Sequence, residues 1–238
     1  VVQVLAQGSS QHSKVAFTNL LKTKYNNDFG ALKSAWGSVL PSGINSWETF
    51  QNNAVTINGS ISTNVHADLS FLLKKFAEKY LTINRTAIKR EGGESHLFTG
   101  VRFAGFFRAP QEVIDACAEI CDIISINYYN YTTANERDDW NYLLRKDKPI
   151  LITEFYFDAP SRGSAISDRT QTTTDQDQGD AFEAYARDML SKPQIIGYSY
   201  HDVYDQPLLG SIWTENNLTG FVSETDRPYP KLVASAKD

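Results

Sequence analysis

The chain has 238 residues, of which 41% are hydrophobic and 21% are charged, and its formal net charge at pH 7 is −5. It contains no apolar run of about 18 residues, the length that a membrane-spanning helix needs. Lysine and arginine are scattered along the chain instead of forming a basic stripe, which argues against a nucleic-acid partner. The composition therefore predicts a globular protein that binds neither nucleic acid nor a membrane.

The first third of the chain has a helical pattern. Over 11–53 the apolar residues recur at three- and four-residue spacing, with a helix start at Asp28 and a break at 41–43. Ser46 is expected to cap a short helix that follows it. A long amphipathic helix is then predicted over 64–90, and two consecutive glycines end it.

The rest of the chain alternates strands with helices. We expect strands over 96–103, 122–129, 149–154 and 194–200. The helices between them are predicted over 110–120, 138–145 and 175–190. The strand segments are short and apolar without alternation, which is typical of parallel strands covered by helices. No glycine-rich phosphate loop follows any of these strands, which argues against a dinucleotide-binding fold.

The two cysteines, Cys117 and Cys121, lie four residues apart in a helical pattern. One helical turn places both on the same face, which is a poor arrangement for a disulfide, and two thiols are too few ligands for a metal ion. We expect both to be free, buried thiols. The sequence predicts neither a metal ion nor a cofactor.

Polar and aromatic residues follow each predicted strand at the point where it ends. They are Arg102, Asn127, Tyr128, Glu154, Tyr200, His201 and Asp202. In a (β/α)8 barrel the strand ends carry the catalytic groups, because the loops after the strands form the active-site face. Glu154 is the clearest candidate, since it closes an apolar strand. The alternative is a structural ion pair at the strand end, with Arg102 as the partner.

Residues 148–163 read LysProIleLeuIleThrGluPheTyrPheAspAlaProSerArgGly. This segment resembles the nucleophile-bearing strand of clan A glycoside hydrolases, and most closely that of the β-agarases of glycoside hydrolase family 50. Further stretches are similar to the same family in order and spacing. They are 36–39, 46–48, 100–103, 122–129, 205–207, 215–216, 220–222 and 226–230. The resemblance runs over nearly the whole chain.

The resemblance implies that residues 1–238 are the C-terminal half, strands five to eight, of one (β/α)8 TIM barrel. It implies Glu154 as the nucleophile of a retaining glycosidase whose substrate is a β-linked galactan of the agarose type. It also implies site-lining or loop-fixing roles for Arg102, Asn127, Asp205, Gln206, Glu215 and Asn216. The strand-end positions add Tyr128, Tyr200 and His201 as candidate substrate-binding residues. For Asp205 and Gln206 the alternative is a brace for the loop before Pro207, and for Glu215 it is a surface loop.

Two segments depart from the family pattern. The chain reads SerTyrHisAsp at 199–202, where the family tends to have His-Trp-Phe-Gln. It reads PheTyrPheAsp at 155–158, where the family tends to have Phe-His-Phe-Gly. These changes alter a sugar platform and its hydrogen-bond donors, so the exact substrate stays open, whereas the reaction class depends on them less.

Retaining hydrolysis needs two carboxyl groups about 5 to 5.5 Å apart, one to attack the sugar and one to protonate the leaving oxygen. In the family the acid/base glutamate follows the fourth strand in an Asn-Glu pair. The segment of this chain from Val1 onwards resembles the part of the family sequence that comes just after that pair. The pair Asn135 and Glu136 lies beyond the strand at 122–129 and is better explained as a helix start. We therefore expect the acid/base upstream of Val1, in a missing N-terminal half, and a chain that is inactive alone.

Two other functions stay open. One is a β-galactosidase or another clan A exo-glycosidase. The other is a non-catalytic carbohydrate-binding half-barrel, which would keep an aromatic rim without needing Glu154. The resemblance also implies a secreted or periplasmic protein, although residues 1–7 show no signal peptide.

Overall fold

The computed structural model describes residues 1–163, 170–207 and 217–237. The chain divides into two compact units, 1–80 and 81–238. The helices of the first unit are α1 (Val2–Leu5), α2 (His12–Lys24), α3 (Phe29–Trp36), α4 (Trp47–Asn52) and the start of α5 (Thr63–Gly92). The long helix predicted over 64–90 is confirmed, whereas α1 was not predicted because four residues carry no usable period.

The two predicted helix starts in the first unit have side-chain caps. Asp28 Oδ1 accepts a hydrogen bond of 3.1 Å from the Ala31 amide at the start of α3. Ser46 and Thr49 form a reciprocal capping box at the start of α4. Each cap satisfies backbone N–H groups that have no partner inside the helix, so these residues fix where the helices begin.

A buried carboxylate joins three helices of the first unit. Asp68, on α5, is 1% exposed and accepts hydrogen bonds from the Tyr25 hydroxyl at 2.7 Å and from Trp36 Nε1 at 2.6 Å. Lys24 Nζ lies 2.6 Å from its other oxygen. A buried charge is tolerated when it is paired and hydrogen-bonded, and here the pairing ties the ends of α2 and α3 to α5.

Lys14, on α2, is a second buried ionisable residue of the first unit. Its side chain is fully buried, and Nζ donates a hydrogen bond of 2.7 Å to the Leu5 carbonyl. Nζ also lies 4.5 Å from the centre of the Phe50 ring. Burial lowers the pKa of Lys14 from 10.5 to about 8. The Leu5 carbonyl also accepts from the Val55 amide at 2.9 Å, so it does not depend on Lys14 alone.

The second unit contains a parallel sheet with the strand order β1-β2-β3-β4. The strands are β1 (Arg102–Phe103), β2 (Ile124–Asn127), β3 (Ile150–Phe155) and β4 (Ile195–Tyr200). The pairing register shifts between Ile126 and Asn127 on β2, and again between Ile152 and Phe155 on β3. These irregularities lie at the carboxyl ends of the strands, where they change the direction in which the last side chains point.

Helices connect successive strands and cover one face of the sheet. They are α6 (Gln111–Ile120), α7 (Arg137–Leu144) and α8 (Asp175–Leu190), and α9 (Pro230–Ser235) lies near the C-terminus. Phe155 of β3 stacks on Tyr185 of α8 with ring centres 4.0 Å apart. Helix α9 packs closely on α8. A Cβ atom added at Gly179 of α8 would lie only 3.1 Å from the carbonyl oxygen of Lys231 on α9.

The predicted alternation of parallel strands and helices is confirmed for this unit. The first strand is much shorter than expected, because only 102–103 pair with β2 and not the whole of 96–103. The earlier residues of that segment are held differently: the Phe98 amide donates to Asp122 Oδ2 at 2.8 Å, and its carbonyl accepts from the Asp122 amide. The segment therefore enters the sheet only at its end.

Two further expectations concern the state of the cysteines and the ability of the helices to cross a membrane. Cys117 and Cys121 are free and buried, as the sequence predicts. Within the described ranges, none of the helices has both the length and the apolar character needed to cross a membrane.

From the burial of Lys14 we predict how a substitution at this position changes the free energy of unfolding. Because the pKa of Lys14 is about 8 in the folded protein, the fold disfavours the charged form of its side chain. The resulting loss of folding stability is complete below pH 8 and disappears as the pH rises to 10.5. We expect Lys14→Met to raise the free energy of unfolding by up to about 3 kcal/mol at pH 7, and by much less at pH 10. Urea denaturation at both pH values measures this difference.

The matched control is Lys22→Met, a substitution of an exposed lysine on the same helix. This variant should differ from the parent protein by less than about 0.5 kcal/mol at either pH. A Lys14→Met protein that is less stable than the parent at pH 7 would show that the hydrogen bond to Leu5 outweighs the burial of the charge.

Candidate active site

An ion pair between two strands marks the carboxyl edge of the sheet. Arg102 on β1 donates through Nη1 to Glu154 Oε2 on β3, so the two side chains meet across β2. The Glu154 side chain is 18% exposed and that of Arg102 is 53% exposed. The pair is therefore accessible from solvent, while the guanidinium fixes the direction of the carboxylate and places a positive charge beside it.

Strand β2 holds the backbone at Glu154. Asn127 aligns with Glu154 in the sheet, and the Tyr128 amide donates a hydrogen bond of 3.0 Å to the Glu154 carbonyl. The Asn127 side chain is buried, and its Oδ1 accepts from the Thr153 hydroxyl at 3.0 Å. Asn127 thus pairs with Glu154 in the sheet, and its side-chain oxygen supports the strand.

Tyr128, expected to bind substrate, is turned away from the solvent-accessible pair of Arg102 and Glu154. Its side chain is 1% exposed and packs edge-on against Phe106 and Trp140. The hydroxyl donates to the Thr132 carbonyl at 2.7 Å, and burial raises the pKa of that hydroxyl. The register shift at the end of β2 accompanies this orientation, which sequence spacing does not reveal.

Three rings form a row along the carboxyl edge. Tyr129 follows β2, Tyr156 follows β3 and His201 follows β4. The Tyr129 and Tyr156 rings have centres 5.1 Å apart, and those of Tyr156 and His201 are 6.2 Å apart. Only His201 was predicted from the sequence. Because strand side chains alternate, Tyr156, two residues after Glu154, could have been assigned to the same face.

Exposed aromatic residues surround this edge. Phe107 follows β1, Tyr131 follows β2 and Tyr204 follows β4, with exposed fractions of 69%, 43% and 54%. Tyr131 also stacks on Phe157, with ring centres 5.7 Å apart. Rings of this kind can pack on the C–H faces of a sugar while the neighbouring polar groups meet its hydroxyls.

Tyr200, also predicted to bind substrate, supports the exit from β3. Its hydroxyl lies 3.3 Å from the Phe157 carbonyl, and its ring packs against Phe155, Phe182 and Phe221. Burial raises the pKa of the Tyr200 hydroxyl. These contacts place the ring on the helix-covered side, together with Phe155.

Asp205 has the contacts of a loop brace. It is 5% exposed and accepts hydrogen bonds from the Tyr229 hydroxyl at 2.5 Å and from the Gly220 amide at 2.8 Å. Burial raises the pKa of the Asp205 carboxyl, and these two hydrogen bonds oppose that shift. The geometry matches the alternative role weighed for Asp205, which is to hold the loop that precedes Pro207.

Gln206 combines a loop contact with a contact to the strand end. Its backbone amide donates to the Asn217 carbonyl at 3.0 Å, and its side-chain Nε2 donates to Asp202 Oδ2 at 3.2 Å. Glu215 and Asn216, the other two predicted site residues, lie outside the described residues.

A buried guanidinium connects the segments behind the site. Arg162 is 8% exposed; its Nε donates to Asp175 at 2.7 Å, and a second nitrogen donates to Gln178. The group stacks on the Tyr229 ring at 3.2 Å and lies 3.7 Å from Asp205. Arg162 thus links the loop after β3, helix α8 and the loop after β4.

Asp158, one of the departures from the family pattern, ties the same loops together. It is fully buried, and its Oδ1 accepts from the Leu218 amide at 2.8 Å. Its backbone amide donates to the Thr170 carbonyl, and its carbonyl accepts from the Thr172 amide. The chain leaving Glu154 is therefore fixed within four residues of the carboxylate.

Glu136 lies at the start of a helix. It ends the 3-10 turn Thr133–Glu136 and directly precedes α7, as expected for a helix start. Burial, followed by the charge of Asp139, raises the pKa of Glu136. Across the part of the chain that the structure describes, no group of three or more His, Cys, Asp or Glu could hold a metal ion.

The chain is similar in sequence to two curated proteins. It is 30% identical to Beta-agarase A of Vibrio sp. (strain JT0107) over 219 residues, which are 90% of this chain and 21% of the relative. It is 30% identical to Beta-agarase B of the same organism over 226 residues, which are 94% of this chain and 23% of the relative. The chain spans about a fifth of the length of these relatives. No family model matches it.

Solved structures give the same likeness. An exo-beta-agarase superposes with a TM-score of 0.90 at 30% identity, over 99% of this chain and 31% of that one. A second agarase gives a TM-score of 0.89 at 29% identity, over 99% of this chain and 32% of that one. The chain is thus similar to agarases over nearly its whole length, which confirms the resemblance to family 50 β-agarases.

The role of Asp205 in holding the loop before Pro207 can be tested by measuring the free energy of unfolding of Asp205 variants. We expect Asp205→Ala to lower the free energy of unfolding by about 1–3 kcal/mol, because it leaves the Tyr229 hydroxyl and the Gly220 amide without their acceptor. Asp205→Asn keeps an acceptor oxygen and removes a charge that burial disfavours, so its loss should be smaller. Urea denaturation at pH 7 compares the two, with the exposed Glu224→Ala as control. Equal losses for the alanine and asparagine variants would contradict the brace.

Proposed function

We propose that this chain is part of a retaining glycoside hydrolase that cleaves a β-linked galactan of the agarose type, with Glu154 as its nucleophile. The observation that carries the proposal is the position of the Glu154 carboxylate, beside Arg102 at the carboxyl edge of a parallel sheet. The likeness to two beta-agarases and to solved agarase structures supports the reaction class and the substrate.

In the proposed reaction Glu154 attacks the anomeric carbon of the sugar, and the glycosidic oxygen leaves with a proton from a second carboxyl group. Water, deprotonated by that second group, then hydrolyses the glycosyl-enzyme ester and frees Glu154. Arg102 holds the attacking carboxylate in one direction before the sugar arrives. This preorganisation lowers the entropic cost of reaching the reactive geometry.

We place the acid/base in the part of the longer relatives that this chain does not span. The chain covers only 21% and 23% of the two curated beta-agarases, which leaves ample sequence for a second catalytic carboxyl group. A raised pKa would suit Glu136 as an acid, but its position at the start of α7 is explained by helix geometry.

We further propose that β1 to β4 are strands five to eight of a (β/α)8 barrel and that 1–238 belong to that one catalytic domain. Each strand is parallel to the next, and a helix joins each consecutive pair, which is the repeat of such a barrel. In the described sheet β1 and β4 are the outer strands, so each has an edge at which a further strand could pair. We place those further strands in the part of the longer relatives that this chain does not span.

A polymeric substrate places the proposed activity outside the cytoplasm. Agarose-type galactans are too large to cross a membrane unaided, so a hydrolase that acts on the polymer would be secreted or periplasmic. This location follows from the proposed substrate and would change if the substrate were a small galactoside.

A second candidate function is carbohydrate binding without catalysis. The exposed rings of Phe107, Tyr131 and Tyr204 support it, because aromatic rings can hold a sugar without a nucleophile. A β-galactosidase activity is the other alternative, and product analysis on agarose-type oligosaccharides and on simple β-galactosides separates it from agarose cleavage.

We expect Glu154→Gln to abolish turnover and to spare sugar binding. In a protein lengthened to include the segment upstream of Val1, kcat on agarose-type oligosaccharides should fall by about a thousandfold or more, since the amide cannot attack the anomeric carbon. Oligosaccharide affinity measured by calorimetry should stay within about threefold. Glu136→Gln is the matched control and should leave kcat unchanged. Full turnover by the Glu154→Gln protein would remove Glu154 as the nucleophile.

We also expect the 238-residue chain to be inactive by itself. It provides the proposed nucleophile, whereas protonation of the leaving oxygen requires a second carboxyl group at about 5 to 5.5 Å. Reducing-end assays of the purified chain on agarose-type oligosaccharides should give no turnover, and addition of the upstream segment should restore it. Robust turnover by the chain alone, lost on Glu136→Gln, would place the acid/base within the chain.

A further inference from the structure

The loop that follows β1 carries a large aromatic side chain in an exposed position. Phe106 turns into the core and is 9% exposed, whereas the next residue, Phe107, is 69% exposed. Both lie in the 3-10 turn Phe106–Arg108, just beyond the end of β1 at Phe103. Because the loops after parallel strands lie at the carboxyl edge of the sheet, Phe107 presents its ring to solvent at that edge.

The Phe107 ring is supported by the backbone of Gly105. A Cβ atom added at Gly105 would lie 2.6 Å from Phe107 Cε1 and 2.9 Å from Phe107 Cδ1, so a larger residue there would displace the ring. Gly105 also has a φ of 135°, a conformation that residues with a side chain rarely adopt. The glycine thus lets one edge of the ring rest on the backbone while most of the ring stays exposed.

The guanidinium of Arg108 lies beside this ring and has no carboxylate partner. Its Cζ atom is 5.4 Å from the centre of the Phe107 ring, within the range of a cation–π contact. Among the residues that the structure describes, Arg108 forms neither an ion pair nor a side-chain hydrogen bond. Arg102, the other arginine of this segment, is paired with Glu154. Of the two guanidinium groups, that of Arg108 therefore remains available to a ligand.

An exposed ring beside an unpaired guanidinium fits a particular class of ligand. The C–H face of a sugar can pack on an aromatic ring, whether or not the sugar is charged. A guanidinium presents parallel N–H donors that match two oxygens of a sulfate ester or a carboxylate. A sugar with such an oxyanion substituent can engage both groups together, whereas a neutral sugar offers the guanidinium no charged acceptor.

We propose that Phe107 and Arg108 form a subsite for a galactan unit that carries an oxyanion substituent, either a sulfate ester or a carboxylate. The inference rests on the proposed function, which supplies the galactan, and it adds a preference for charged over neutral stretches of that polymer. Phe107 packs on the sugar, and Arg108 binds the substituent. The subsite acts on affinity and leaves the chemical step to Glu154.

Calorimetry with three oligosaccharides of equal length tests the preference. One is neutral and of the agarose type, one carries a sulfate ester and one carries a carboxylate. We expect the protein lengthened upstream of Val1 to bind one of the charged ligands about 5- to 10-fold more tightly than the neutral one at low salt. The difference should shrink at high salt, because exposed charges are screened. The ligand that shows the preference identifies the substituent.

Substitutions at the two positions separate the charge from the ring. Arg108→Gln should remove the preference and leave the affinity for the neutral ligand within about twofold of the parent value. Phe107→Ala should weaken all three ligands by about 3- to 10-fold. The matched controls are Arg90→Gln and Leu97→Ala, at positions that are 72% and 66% exposed, and both should bind like the parent protein. In every variant kcat on the neutral ligand should stay unchanged.

The possible failures of this inference and of the proposed function can be told apart. Equal affinity of the parent protein for neutral and charged ligands would overturn the oxyanion subsite, even if Glu154→Gln abolishes turnover. Parent-like affinity of Phe107→Ala would also overturn it, by showing that the ring lies away from the sugar or beneath another part of the longer protein. Charge-dependent binding without any turnover would support the subsite and defeat the proposed hydrolysis. An absence of binding to all three ligands would defeat both.

Discussion

The parallel direction of the four strands is the constraint on which the candidate site depends. Parallel strands bring their carboxyl ends to one edge, so residues far apart in sequence, such as Arg102 and Glu154, meet there across β2. The same direction requires a crossover between strands, and the helices that provide it cover one face of the sheet. Phe155 and Tyr185 pack on that face, so the polar residues are left to the strand ends and the opposite side.

The polar residues behind the edge divide into two groups with different chemistry. Asp158 and Asp205 are buried, and each accepts a hydrogen bond from a backbone amide of a loop. Glu154 and Asp202 are partly exposed, and each faces a basic side chain. Burial and partner type, not the mere presence of carboxylates, thus separate bracing residues from candidate reactive ones.

The sequence predicts β2, β3, β4 and the helices between them, because a short apolar run bounded by polar residues carries a strong signal. It overestimates β1, since the residues before Arg102 bind Asp122 and not a neighbouring strand. It selects Tyr128 where the structure places Tyr129 in the ring row, because the register shift at Asn127 is a property of strand pairing. Candidate residues are thus found from strand ends, whereas the direction of each side chain depends on contacts between distant segments.

The shared guanidinium of Arg162 has a consequence for how substitutions combine. Asp175, Gln178, Asp205 and Tyr229 all contact this one group, so a change at any of them alters the surroundings of the other three. Double-mutant cycles among these positions should give coupling energies, because residues in one network do not contribute independently. Sequence change behind the site is therefore epistatic: a residue tolerated at one position depends on which residues already occupy the others.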